Sequence, residues 1–232
     1  MPAREDLFTP VHKALRAMMY DLSSRVQSND FADLAATRAL VVDLEHDFAV
    51  ARSAGCMLCV FHEHADTEEG IVFPEVKRTS GELVASLIAE HLDLARREIA
   101  ITDAAHALLA LGSEEDRLTA GTALNLALNQ LLAAYLVHIN REDAELVPRM
   151  REHFTDPQMA KMRGAIIAQF PPDRLFALLG WMLPALNVTE LTDLIGELKR
   201  SAPPPVTQAV VDLAAAKVPS ARWTEVRVRV GL

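Results

Sequence analysis

The stretch His64-Ala65-Asp66-Thr67-Glu68-Glu69-Gly70-Ile71-Val72-Phe73-Pro74 recurs 74 positions later as His138-Ile139-Asn140-Arg141-Glu142-Asp143-Ala144-Glu145-Leu146-Val147-Pro148. Both copies follow one template: His, Glu at +4, a second acid at +5, apolar residues at +8 and +9, and Pro at +10. A spacing of four puts imidazole and carboxylate on one helical face, one turn apart. Interior proline ends or kinks a helix, so each copy lies near the C-terminal end of one. Of the eight histidines, three have an acid four residues later (His62/Asp66, His64/Glu68, His138/Glu142), where chance gives about one.

Outward from the two copies the chain reads as helices. Thr9 caps a first helix with Pro10 at its first position, running through Leu15, Met18, Met19 and Leu22 to about Gln27. A second runs from near Asn29-Asp30 to about Glu69, with an interruption near Ser53 to Gly55. Pro74 and Gly81 mark the turn into a third, whose stripe Val84, Leu87, Ile88, His91, Leu94, Ala95 has helical period and which Gly112 ends. Ser113 with Glu114, Glu115 and Asp116 opens a fourth that extends to about Arg151. Four long helices with short turns predict an all-α, up-and-down bundle. Three prolines precede residue 148 and nine occupy the remainder, which therefore holds only short helices: Pro157 to Gln169, Pro172 to about Leu186, Glu190 to Lys199 behind the cap Thr189, and Val206 to Lys217. The expected division is a bundle over 1–153 and a C-terminal helical extension over 154–232. The tail Val226-Arg227-Val228-Arg229-Val230 alternates like a strand and reads as an arm docking on the domain or on a second subunit, as in a homodimer.

Composition agrees with that class. Half of the 232 residues are hydrophobic, but only 12 are aromatic and 9 are Gly, too few for sandwich, barrel or Rossmann architectures. The formal charge of −9 disfavours nucleic acid, because no excess of Lys and Arg can displace condensed counterions. Met1 to Pro10 lacks the charged start and apolar core of a signal peptide, so the expected location is cytoplasmic. Leu118 to Asn140 carries no charge but too many polar groups for a lipid-exposed span; it reads as a bundle helix, with no membrane partner. Cys56 and Cys59 lie among apolar residues and read as buried structural thiols.

The repeat extends to the other two helices through His12 on the first and His91 on the third. Each half of the bundle is a helix with one apolar-face His followed by a helix with His-x-x-x-Glu. Set face to face, the halves bring His12, His64, His91, His138, Glu68 and Glu142 to the bundle axis. Burying two carboxylates and four imidazoles is costly unless cations compensate them. Nitrogen and oxygen donors without thiolate suit Fe, Mn or Zn better than Ca or Mg. Two carboxylates shared between matching halves suggest bridging, hence two metals about 3.5–4 Å apart. The ferritin-like order, Glu-x-x-His, is not present in these copies.

These residues resemble the hemerythrins, and specifically the hemerythrin-like HHE cation-binding domain, over roughly residues 8 to 152. The most specific elements are His64-x-x-x-Glu68-Glu69-x-x-Val72-Phe73-Pro74, Glu90-His91 and His138-x-x-x-Glu142. The resemblance implies a non-haem, carboxylate-bridged centre of two Fe ions, Mn or Zn being substitutes. It assigns His12 and His64 to one iron, His91 and His138 to the other, and Glu68 and Glu142 as bridges. It also implies binding of dioxygen, nitric oxide or peroxide at an open position. One departure bears on function: oxygen carriers of this family have two histidines one turn apart on the third helix, whereas the neighbours of His91 at that spacing are Leu87 and Ala95. Tyr135, one turn before His138, is a candidate for the surroundings of the metal or for a packed aromatic.

Three functions follow from these readings. One is a binding or sensing protein for dioxygen, nitric oxide or iron. Another is a di-iron oxidoreductase, oxygen- or peroxide-dependent, acting on a small organic substrate in a pocket closed by the extension. Phe170, Phe176, Trp181 and Met182 would line that pocket or simply bury the extension against the bundle. The third is a metal-free helical interaction module.

Overall fold

The computed structural model describes residues 5–51 and 56–232, and every regular element among them is helical. Helix α1 (Thr9–Ser28) begins with proline in its first turn. Thr9 lies inside the helix rather than capping it; the Asp6 carboxylate instead accepts from the N–H groups of Phe8 (3.0 Å) and Thr9 (2.9 Å). Such a side chain satisfies donors that a helix start leaves without partners.

The expected second helix is divided. Its first piece, α2 (Leu34–Val41), is capped by Asp33 and runs into a 3₁₀ turn over Val42–Leu44. The chain then becomes extended at Glu45 before the short α3 (Phe48–Ala51) and α4 (Met57–Thr67). The interruption expected near Ser53–Gly55 falls outside the described residues. No proline or glycine marks the break at Glu45. It is held by tertiary partners: Leu44 is buried, its carbonyl accepts from Thr102 Oγ1 (2.6 Å), and the Glu45 carboxylate pairs with His106. Cys56 and Cys59 are buried as expected, but joined to each other as a disulfide instead of free.

Helix α4 continues through a π-helical turn, Glu68–Val72, into α5 (Phe73–Leu109). The reversal expected between Pro74 and Gly81 occurs at Ser80, whose φ −143° and ψ 46° interrupt α5. The part of α5 beyond it returns along α4. Helix α6 (Glu114–Arg141) opens on Ser113, whose side chain accepts from Asp116 N. It passes through a second π turn, Glu142–Leu146, into α7 (Val147–His153). By length and composition the run Glu114–His153 could cross a membrane, yet one stripe of it, including Leu124, Leu128, Leu131 and Tyr135, is buried in the bundle. The opposite face, with Leu126 and Val137, is exposed.

Two apolar clusters fill the bundle. One joins α1, α4, α5 and α6 through Leu15, Leu22, Leu58, Phe61, Ile101 and Leu128. The other joins Phe8, Val72, Phe73, Leu87, Leu146 and Met150 with Met159 and Met162 of α8 (Asp156–Gln169). A third core belongs to the C-terminal helices α9 (Pro172–Ala185), α10 (Val188–Ser201), α11 (Pro204–Lys217) and α12 (Ser220–Val230). Asn187, not Thr189, caps α10, in a reciprocal capping box with Glu190. Helix α9 packs on α1 and ties this core to the bundle.

The alternating tail is therefore helical, not an extended arm. Trp223 and Val226, three residues apart on one face, are buried in the third core, whereas Val228 is 78% exposed. A strand face would have used Val226, Val228 and Val230 together.

At Gly121 on α6 the ring of Phe31 packs directly over the backbone, where any Cβ would overlap it. Gly121→Leu is expected to lose about 1–3 kcal/mol of unfolding free energy by overpacking. Urea denaturation should show that loss, partly restored by Phe31→Ala in the same chain.

Candidate metal centre

Between the two apolar clusters of the bundle lies a polar layer. His12 on α1, His64 on α4, His91 on α5 and His138 on α6 each contribute an imidazole, and Glu68 and Glu142 open the two π turns. An unbroken α-helix would drive a proline ring into the carbonyl four residues back. In both copies the wide turn occupies that stretch, with Phe73 N and Val147 N reaching back to the carbonyls of Glu68 and Glu142. The repeated Pro at +10 and the repeated wide turn thus belong together.

The six side chains form two four-membered groups of potential ligand atoms, each group lying within 4.8 Å: His12, His64, Glu68 and Glu142, and Glu68, His91, His138 and Glu142. Both groups contain both glutamates. His64 Nε2 is 3.1 Å and His91 Nε2 3.3 Å from the two Glu68 oxygens; His12 Nε2 is 3.4 Å and His138 Nε2 3.3 Å from those of Glu142. Across the second group the Nε2 atoms of His91 and His138 face each other at 2.9 Å. Both oxygens of Glu68 and Glu142, with His12 Nε2 and His64 Nε2, are buried without a hydrogen-bond partner. Buried polar atoms are nearly always satisfied, each exception carrying a penalty of about 1–3 kcal/mol. Six such atoms converging from three helices are what cations with nitrogen and oxygen ligands would satisfy.

Three of the four outer nitrogens are held by a ring of carboxylates. His12 Nδ1–H donates to Asp143 (2.7 Å), His91 Nδ1–H to Glu69 (2.9 Å) and His138 Nδ1–H to Glu90 (2.8 Å). This fixes the tautomer that turns Nε2 inward. Asp143 is braced by Arg16 and Glu90 by Arg141. Glu69 and Asp143 are the acids at +5 of the sequence template. Their role is not apparent from the template alone, because each serves the imidazole of a different helix.

Without metal, imidazolium charge balances the carboxylates. Burial opposes a proton on His12, but Asp143, Glu142 and Glu68 outweigh it and hold the ring well above its usual range. Against the same burial, Glu68, Glu142 and Glu69 push His91 up to about 9, and Glu142 and Glu90 raise His138. Burial would raise Glu68, yet His64, His12 and His91 pull it well below the ordinary carboxylate range.

Tyr135 is fully buried with its ring edge toward His138, 6.1 Å between centroids, while its hydroxyl donates to the Phe61 carbonyl (2.8 Å). Its hydroxyl proton is thereby committed to that carbonyl, and burial pushes the phenol well above its usual range. His62 points elsewhere, toward Glu98 and Asp66. His46 is half-buried against Thr102; His106 pairs with Glu45, and His153 is exposed.

A cavity of about 440 Å³ adjoins one side of the layer, between α1 and α4 of the bundle and α8, α9 and α10. His64 and Glu68 stand on its wall; His12, His91, His138 and Glu142 do not. Of the four apolar residues expected to line such a space, Phe170 and Met182 do so. Phe176 packs into the C-terminal core and Trp181 onto the bundle.

The family model for the hemerythrin HHE cation binding domain matches residues 5–150, and the chain belongs to that family. No curated protein and no solved structure matches it. The carboxylates behind the imidazoles give the centre a test that leaves all six inner residues intact. Glu90→Ala and Asp143→Ala are each expected to weaken metal binding about 10–100-fold, read by chelator competition.

Proposed function

We propose that Glu68 and Glu142 bridge two iron ions, one also held by His12 and His64 and the other by His91 and His138. The observation that carries this reading is the sharing of both glutamates by the two ligand groups. Two iron ions there would supply electrons and open coordination positions for dioxygen, nitric oxide or peroxide. The chain's part is to present Nε2 of His12, His91 and His138 inward, through Asp143, Glu69 and Glu90, and to keep water out. Phe73 stacks on His91 at 5.4 Å and Phe8 stands edge-on to His12 at 5.3 Å, so apolar rings back both halves.

A second reading, an oxidoreductase acting on a small organic substrate, is favoured by the cavity that reaches His64 and Glu68. It agrees with a ligand set of four histidines, which leaves more room for exogenous ligands than one of five.

After iron-replete expression, metal analysis is expected to give about two irons per chain, as for a bridged two-metal site. Glu68→Ala and His138→Ala are each expected to lose one or both. Less than one iron per chain, unaffected by either substitution, would overturn the proposal. Exposure of the reduced protein to oxygen separates the two readings: a stable, reversible adduct indicates binding, and rapid decay with peroxide consumption or product formation indicates catalysis.

A further inference from the structure

The cavity beside the centre has a chemistry that can be read from its walls. Val11, Val60, Ile167, Phe170, Leu178 and Met182 make most of its surface apolar. Its volume of about 440 Å³ falls within the range of small-molecule sites, about 300–1,000 Å³.

Five charged side chains also stand on the wall besides the two metal-centre residues, and each already has partners. Arg163 binds Glu197 (3.0 Å) and Glu5 (2.9 Å). Arg174 binds Glu63 (2.5 Å), with its guanidinium 3.8 Å over the centre of the Phe48 ring. Asp6 accepts from two backbone N–H groups at the start of α1 and from Arg151. Among the described residues, then, no wall cation is free for a carboxylate or phosphate and no wall anion for an amine. Charged ligands would have to break these pairs and give up their own hydration. Among the described residues, the fully buried side-chain atoms of the wall that lack hydrogen-bond partners are His64 Nε2 and the Glu68 oxygens, which belong to the metal centre.

We propose that this cavity binds an uncharged, predominantly apolar small organic molecule and seats it against the His64–Glu68 side of the metal centre. The position of the molecule relative to metal rests on the di-iron reading above; the cavity and its preference for neutral ligands do not. The C-terminal helices are then the specificity element of the protein, since α8 supplies Ile167, the turn after it Phe170, α9 Leu178 and Met182, and α10 Leu198.

The test uses the neutral dye N-phenyl-1-naphthylamine and its anionic relative 1-anilinonaphthalene-8-sulfonate, titrated into the full chain after chelator treatment and followed by fluorescence. The neutral dye is expected to bind saturably at one site, with the sulfonate about tenfold or more weaker. Ala160→Phe on α8 and Leu178→Trp on α9, which fill the cavity from two helices, should each weaken the neutral dye about tenfold or more, with metal content unchanged. In protein loaded with manganese, proton NMR lines of the bound dye should broaden relative to the zinc-loaded form.

No saturable binding, equal affinity for the sulfonate, or unchanged affinity in folded filling variants would overturn the cavity assignment. Equal line widths with manganese demonstrably bound would overturn the juxtaposition. Failure to retain manganese and zinc would remove the metal-centre reading and the seating that depends on it, while the dye comparison would still decide the cavity.

Discussion

Two glutamates and four histidines held away from water between two apolar clusters are the constraint around which this bundle is arranged. Neither glutamate has a hydrogen bond to either oxygen, and an isolated buried carboxylate is tolerated only when opposite charge faces it. The chain meets that requirement by bringing one imidazole from each of four helices to the same level. Helix register is thereby set: Leu15 and Leu22 must pack while His12 faces the layer, and Leu128 and Tyr135 while His138 does. The π turns express the same constraint, because each places a glutamate at the layer just before a proline.

The carboxylates behind three of the rings link the separate contributions of the four helices to one another. Asp143 of the fourth long helix holds His12 of the first, and Glu69 of the second holds His91 of the third. Glu90 on the third holds His138 on the fourth. Each imidazole so held answers to a different helix from its own, so the layer also ties the bundle together laterally. Arg16 and Arg141 extend this ring to the surface, where solvent screens them and their individual contribution is small.

Much of this was legible before any coordinates. The +4 spacing put His64 with Glu68 and His138 with Glu142, and the single apolar-face histidines on the other helices completed the set. The partners of the outer nitrogens were not legible, since spacing along a helix says nothing about a contact such as His12 with Asp143 across the bundle. The break at Glu45 escaped for a related reason: it contains no helix-breaking residue and depends on Thr102 and His106 from another helix. In the tail, a five-residue alternation of Val and Arg fits a strand pattern, but Trp223 lies outside that window and fixes the helical face. Cys56 and Cys59 were correctly buried by their apolar neighbours, while their bonding to each other depends on which way the start of α4 turns them.

The repeat in the sequence is close to a twofold device, and the extension is not. By covering only the side of the layer where His64 stands, α8, α9 and α10 give one half of a matched ligand set a window and leave the other half walled by Phe73 and Tyr135. Glu68 accordingly has unlike surroundings at its two ends, and so would anything it bridges. Polarity of this kind turns a pair of equivalent positions into one that meets the outside world and one that stands behind it, a division of labour that duplication alone would not produce.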